Sequence, residues 1–378
     1  MQLFREIESS DLSRDPPAFE SIVRPENLHG TIKSFLFAII TIGLILSSAM
    51  IWTYGTIEDG TAYDNSRWSR IGEAYETIEG LESESVIFIG SSRTYSAIDG
   101  SCLDDESDSE REHWNLAMRG DFPYLRLPET EMIAESGAEV VVLEAGPNSL
   151  QSGIGGEGDR LRWQVFSLFN EISENDEWYE IVKVGDRKYL LEDDLERAEF
   201  LFDSRGQGLD ELSHRIVYSG ESRFDKRGDG KLPEPDSEGW VNSLKTPEYD
   251  EVREYSEEEF EEYLSHLLES SFWTPESGDH PNSMALKHII SRLDENGVTV
   301  VLFSPPVHPE FLKRNPSGRW DVFNESMEFF SEDFDLIDMT WEEWEEDSFD
   351  DPHHLSEEGR QRMCQELVPI LDEIIEEI

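Results

Sequence analysis

The sequence predicts an α/β domain on an open parallel sheet of five strands, preceded by one N-terminal helix long enough to cross a bilayer. Three observations predict it. Five apolar runs of strand length punctuate residues 83–378, and three are rich in Val and Ile without polar alternation, as in strands buried on both faces. Helical patterns fill the spaces between them, as the crossovers of a parallel sheet require. Ahead of these, residues 34–57 carry no charge, and about 20 apolar residues span the hydrocarbon core of a membrane.

From the N-terminus, residues 1–33 carry Pro16, Pro17, Pro25 and mixed charge, and read as a cytoplasmic tail. The apolar core of the next segment runs from Phe35 to Trp52, with Trp52 and Tyr54 where an aromatic belt would lie. A cleaved signal peptide would have a shorter apolar region nearer the terminus, so an uncleaved transmembrane helix over 34–57 is expected. Arg24 and Lys33 lie closer to this span than Arg67 and Arg70 do. The N-terminus is therefore expected inside and the large domain outside. Residues 58–82 read as a juxtamembrane stalk with one helix.

The five strands are expected over Ser85–Gly90, His113–Met118, Glu139–Ala145, Val298–Ser304 and Phe334–Met339. Helices are expected over Leu127–Gly137 and Ser283–Gly297, the second with Met284, Leu286, Ile289, Ile290 and Leu293 on one face. Gly137 and Gly297 stand where each helix hands over to a strand. About 150 residues separate the third strand from the fourth, where a crossover needs roughly a dozen. Residues 151–282 are therefore an insertion. It holds a Gly-rich loop (Gly153, Gly155, Gly156, Gly158), a turn-rich middle (Arg227–Gly239) and an acidic amphipathic helix near Glu257–Leu268. It reads as a lid or substrate-specificity subdomain; a surface decoration without a role is the alternative.

Composition narrows the partners. Hydrophobic residues at 37% suffice for a packed core. The net charge is −54, from 31 Lys and Arg against 85 Asp and Glu. That excludes nucleic acid and anionic lipid surfaces as main partners. Such self-repulsion suits a halophilic setting, because concentrated salt shortens the Debye length to a few Å. The two cysteines, Cys102 and Cys364, make neither a disulfide framework nor a Cys-ligated zinc site. One bridge between them is possible if the helices that carry them are neighbours, which the sequence leaves open.

Ligands of open α/β sheets bind beyond the carboxyl ends of the strands. Gly90-Ser91-Ser92-Arg93 follows the first strand, and a serine in such a turn can expose its hydroxyl at a helix N-terminus. After the second strand comes Gly120, whose N–H a substrate can approach closely, and after the third comes Asn148, whose amide can donate to an oxyanion. Near the C-terminus, Asp351 precedes His354 by three residues, so that Asp can orient His and His can deprotonate a serine.

These four blocks, in this order, resemble the SGNH/GDSL hydrolase superfamily, in its membrane-anchored Gly-Ser-Ser form. The resemblance covers residues 83–150 and 284–378. It implies a three-layer α/β/α sandwich of flavodoxin-like topology, with Ser92 as nucleophile, Asp351 and His354 completing a triad, and Ser92, Gly120 and Asn148 forming the oxyanion hole. The family pattern has Asp where this chain has Ser91, and again where it has Ser149. The implied activity is that of an esterase or O-acyltransferase on acylated surface glycans or envelope polymers, beside a multi-pass acyl donor protein and without a cofactor. The alternative is a surface or assembly protein that kept the fold and lost catalysis.

Asp350 and His353 repeat the Asp-x-x-His spacing. His354 is preferred because Leu355 and Ser356 follow it, and His353 is read as a surface turn residue. Arg93 and His308 are candidate substrate contacts, each weighed against a structural role: a salt bridge for Arg93, packing among prolines for His308. Asp350, Asp351, His353 and His354 are metal-type donors, but the turn is too tight for all four to converge, so no metal is expected.

Overall fold

The computed structural model describes residues 25–58, 71–81, 84–151, 239–247, 255–269 and 278–377, together with residues 181, 182, 237, 274 and 275. The Gly-rich loop and nearly all of the turn-rich middle of the predicted insertion lie outside the described residues. The chain divides into two units, Met1–Ile51 and Trp52–Ile378.

In the first unit the helix α1 begins; it runs over Pro25–Glu58. Phe35 and Phe37 on it are 66% and 72% exposed. Among the described residues no helix is long and apolar enough to cross a membrane. The transmembrane assignment of 34–57 therefore finds no support there.

The second unit holds the sheet: β1 (Ser85–Ile89), β2 (Glu112–Asn115), β3 (Val140–Glu144), β4 (Thr299–Ser304) and β5 (Asp335–Asp338). Every pairing is parallel, in the order β2-β1-β3-β4-β5. All five fall on the predicted runs. β2 ends short of the expected Met118, but the ladder outlasts it: Leu116 N–H donates to Phe88 O and Met118 N–H to Gly90 O, both at 2.9 Å. The order reverses between β1 and β3, which places a crevice at their carboxyl ends.

Among the described residues the helices of this unit, in chain order, are α2 (Ile71–Glu79), α3 (Ser92–Ala97), α4 (Gly100–Glu106), α5 (Pro123–Arg126), α6 (Thr130–Glu135), α7 (Trp240–Lys245), α8 (Glu257–Glu269), α9 (Pro281–Glu295), α10 (Pro309–Arg314), α11 (Ser317–Ser331) and α12 (Glu357–Glu376). Successive strand residues point to opposite faces, and both faces are covered. Ile87, Ile89, Val141, Leu143, Val300 and Leu302 pack with α2, α6, α9 and α11. Val86, Phe88, Val140, Val142, Val301 and Phe303 pack with α3, α4 and α12. The result is three layers, and it explains why the strand sequences show no alternation.

Two expectations need correction, and a third point that the sequence left open is decided. The helix assigned to a stalk is part of the domain: Ile71, Ala74, Tyr75 and Ile78 of α2 are buried in the core, so the α/β domain reaches back to at least residue 71. The single helix expected over Leu127–Gly137 is broken into a 3-10 turn, Leu127–Glu129, and the short α6. Helical residues already precede it in Pro123–Arg126, and a helix continuous from there would need the N–H that Pro128 lacks. Third, Cys102 and Cys364 are joined in a disulfide, with Cα atoms 6.3 Å apart. Their helices, α4 and α12, are neighbours on one face of the sheet, the condition under which a bridge forms.

A buried ionic cluster closes the other face. Arg126 bonds Asp121, Glu129 (2.7 Å) and the Leu116 carbonyl (2.8 Å), and Tyr75 Oη donates to Glu129 at 3.1 Å. Burial, helped by Glu129 and opposed by Arg126, pushes the Asp121 carboxyl up to about 7.

Candidate active site

The turn after β1 is built by two small residues. Ser91 caps α3, its Oγ accepting the Arg93 N–H at 3.2 Å, and Ser92 is the first helical residue, half-buried. The chain leading to His354 is pinched into a loop. Phe349 and Leu355 form an isolated antiparallel bridge, and Asp350 N–H donates to the His354 carbonyl at 3.0 Å. A Cβ on Gly359 would lie 2.1 Å from the Ser348 carbonyl, so only glycine lets α12 start this close to the loop. The loop is tied to α3 through Ser96, one turn beyond Ser92. Leu355 N–H donates to Ser96 Oγ at 3.3 Å, and Arg360 Nε to the Ser96 carbonyl at 3.1 Å.

These ties bring together three predicted residues that lie up to 262 positions apart. His354 Nε2 is 2.8 Å from Ser92 Oγ, and His354 Nδ1 is 2.7 Å from Asp351 Oδ2. Asp351 Oδ1 accepts the backbone N–H groups of His353 and His354, both at 2.9 Å. A carboxylate only accepts, so Nδ1 carries the proton and Nε2 is left to accept from Ser92. Burial would raise the Asp351 carboxyl, but the two imidazoles and the N–H donors outweigh it and hold it well below the usual carboxylate range. Asp350 behaves oppositely: burial and the neighbouring Asp351 push it up to about 6. The orienting carboxylate is therefore Asp351, as the preferred spacing had it.

His353 is not a surface turn residue. It is 7% exposed, with its ring centroid 3.8 Å from that of His354 and the two planes tilted by 42°, and faces Tyr263 of α8, whose Oη lies 3.5 Å from His353 Nε2. Burial, then repulsion from His354 once that ring is protonated, lowers it to about 3. A neutral imidazole thus backs the triad, beside a helix from the predicted insertion.

Of the candidate oxyanion donors, Asn148 is tied to the serine turn. Asn148 Nδ2 donates to Ser91 Oγ at 3.1 Å, and its carbonyl accepts from Arg93 Nη1 at 3.1 Å. Gly120 takes a φ of 67°, which glycine adopts without strain. Its neighbour Asp121 lines a small pocket together with Ser91, Glu144 and Ser149.

Arg93 and His308 are both structural. Arg93 is 1% exposed and spans to the Pro305 and Pro306 carbonyls at 2.6 and 2.9 Å. It binds carbonyls and an amide where a salt bridge was expected. Burial lowers it to about 10, against the pull of Glu144 and Asp338, so it stays charged at neutral pH and adds positive potential beside Ser92. His308 is 3% exposed, caps α10 by accepting the Glu310 N–H at 3.1 Å, and packs against Phe260 and Phe349. Of the four metal-type donors, Asp351, His353 and His354 do bring one donor atom each within 4.8 Å of one another. The oxygens of Asp351 and both nitrogens of His354 are engaged in the bonds just described.

Sequence reasoning missed Glu144. It is 4% exposed at the end of β3 and accepts from Ser91 N–H (2.7 Å), Ser91 Oγ (3.0 Å), Thr94 Oγ1 (2.6 Å) and Ser149 Oγ (3.1 Å). The signal was present: a carboxylate closing a strand buried on both faces must find donors. No protein-family model matches this chain, and no curated protein matches it.

Proposed function

We propose that this protein is an SGNH-type serine acyl-ester hydrolase or O-acyltransferase. The hydrogen-bonded line Ser92–His354–Asp351 carries the reading, because its distances and donor directions suit proton transfer from a serine. Ser92 attacks the ester carbonyl as His354 takes its proton. The tetrahedral oxyanion is held by the N–H groups of Ser92 and Gly120 and the Asn148 amide. His354 then returns the proton to the departing alcohol. Water or a sugar hydroxyl reverses the sequence on the acyl-enzyme, and which one enters separates hydrolase from transferase.

The setting we propose is a cell surface. The uncharged run 34–57 would anchor the chain in the bilayer, with the domain outside and an acylated glycan or envelope polymer as substrate, supplied by a multi-pass acyl donor protein. The disulfide favours an oxidising compartment, and the charge of −54 favours concentrated salt.

The test is labelling of the full chain, in detergent and high salt, with a fluorophosphonate. Wild type should label, and Ser92→Ala and His354→Ala should not. A folded wild type that fails to label would move the reading to a non-catalytic surface or assembly protein. Unchanged glycan acylation in cells lacking the protein, read by mass spectrometry, would remove the envelope substrate.

A further inference from the structure

We propose that Glu144 is a positioning residue of this site: by accepting the Ser91 hydroxyl proton, it turns the Ser91 oxygen toward Asn148 and so aims the Asn148 amide. The inference rests on the functional reading above and assigns its oxyanion hole a support.

Each Glu144 oxygen receives two donors: Oε2 takes Ser91 N–H and Thr94 Oγ1, and Oε1 takes Ser91 Oγ and Ser149 Oγ. With its proton committed to Glu144, Ser91 Oγ presents only lone pairs to its remaining neighbours, and both are donors: Asn148 Nδ2 at 3.1 Å and Arg93 N–H at 3.2 Å. Arg93 Nη1 holds the other end of the Asn148 amide by its oxygen. The amide therefore has one orientation, with its nitrogen on the side of the nucleophile turn and a second hydrogen left to donate. The backbone makes room for this carboxylate. A Cβ on Gly90 would lie 2.6 Å from Glu144 Oε2, and one on Gly146 would lie 2.7 Å from Arg93 Nη1. Three of the four donors come from Ser91 and Ser149, which stand where the resembled pattern carries Asp. The carboxylate is still there, but it comes from the strand between them.

Glutamine is not a neutral replacement. The Ser91 N–H is a fixed donor, so the glutamine oxygen must take the place of Oε2, and its amide nitrogen must face Ser91 Oγ. Ser91 Oγ would then meet three donors and have no acceptor for its own proton. Asn148 loses its partner.

The experiment is ester turnover by the full chain in detergent and high salt, with wild type, Glu144→Gln, Asn148→Ala and the double variant, each checked by thermal unfolding. Glu144→Gln should lower kcat by about 10²-fold, the scale of losing one oxyanion donor, with KM within about threefold. Adding Asn148→Ala should cost almost nothing more, since both act through one amide. Ser91→Ala, which leaves three donors on Glu144, should reproduce the same loss and the same non-additivity if Glu144→Gln does not fold. Ser91→Asp combined with Glu144→Gln returns a carboxylate to Asn148 and should recover kcat to within about tenfold of wild type. An active wild type with Glu144→Gln and Ser91→Ala both near wild-type kcat, or with losses that multiply fully with Asn148→Ala, overturns the inference alone. An inert wild type overturns the functional reading, and this inference with it.

Discussion

Replacing Asp351 by Asn tests the triad at the level of one proton. Asp351 Oδ1 faces two backbone N–H groups at 2.9 Å, and these cannot become acceptors. The Asn carbonyl must therefore take that side, which places its amide nitrogen where Oδ2 was, 2.7 Å from His354 Nδ1. An amide nitrogen only donates. His354 Nδ1 must then give up its hydrogen and accept, and the ring proton moves to Nε2. At 2.8 Å from Ser92 Oγ, Nε2 becomes a donor and no longer a base. Asp351→Asn should thus lower kcat by about 10⁴-fold, the known scale of a wrong-tautomer triad, or roughly 5 kcal/mol of barrier. KM should barely change. The assay is hydrolysis of an activated short-chain ester, with fluorophosphonate labelling rates as a second readout. A folded Asp351→Asn protein within tenfold of wild type in both would refute the tautomer argument and the role of Asp351.

Three further outcomes are expected. Removing the disulfide with Cys102→Ala and Cys364→Ala opens a closed segment with a sequence separation of 262; it should cost about 2–4 kcal/mol, seen as a Tm several degrees lower, and an unchanged Tm would show the bridge to be thermodynamically idle. His353 is buried with its pKa lowered to about 3, so the unfolded chain binds the proton first. The stability this contributes is full above the ordinary histidine range and is lost as pH falls from about 6.5 toward 3, at a slope near 1 kcal/mol per pH unit. His353→Gln should flatten that part of a Tm-against-pH curve, and identical curves would count against a neutral buried imidazole. Finally, the net charge of −54 should make the fold salt-dependent: Tm should climb from 0.01 M to 1 M KCl as the Debye length falls from about 30 to 3 Å. A flat response would remove the halophilic reading.

The strands were legible because burial on both faces writes itself into local composition. Val140, Val141 and Val142 all face protein, three on one strand alternating between two cores. The serine turn and the Asp-x-x-His spacing were legible because each is a local arrangement of a few residues. His353 was not. Its spacing matched that of His354, and only burial beside Tyr263 and His354 made it neutral, against the opposing pull of Asp351. The α2 helix looked like a stalk because its apolar stripe is short, and what it packs against lies elsewhere in the chain.

By itself, the sequence determined the sheet, its parallel sense, the ends at which a site would form, and the three residues that line up for proton transfer. These follow from short-range periodicity and from a few side chains whose chemistry is rare at such positions. The tertiary structure alone decided that Cys102 meets Cys364, that Arg93 and His308 serve the scaffold, and that Glu144 gathers Ser91, Thr94 and Ser149. Each of these depends on which group stands opposite in space, and no local spacing encodes that. A buried carboxylate states in the sequence only that it needs donors; the fold supplies them.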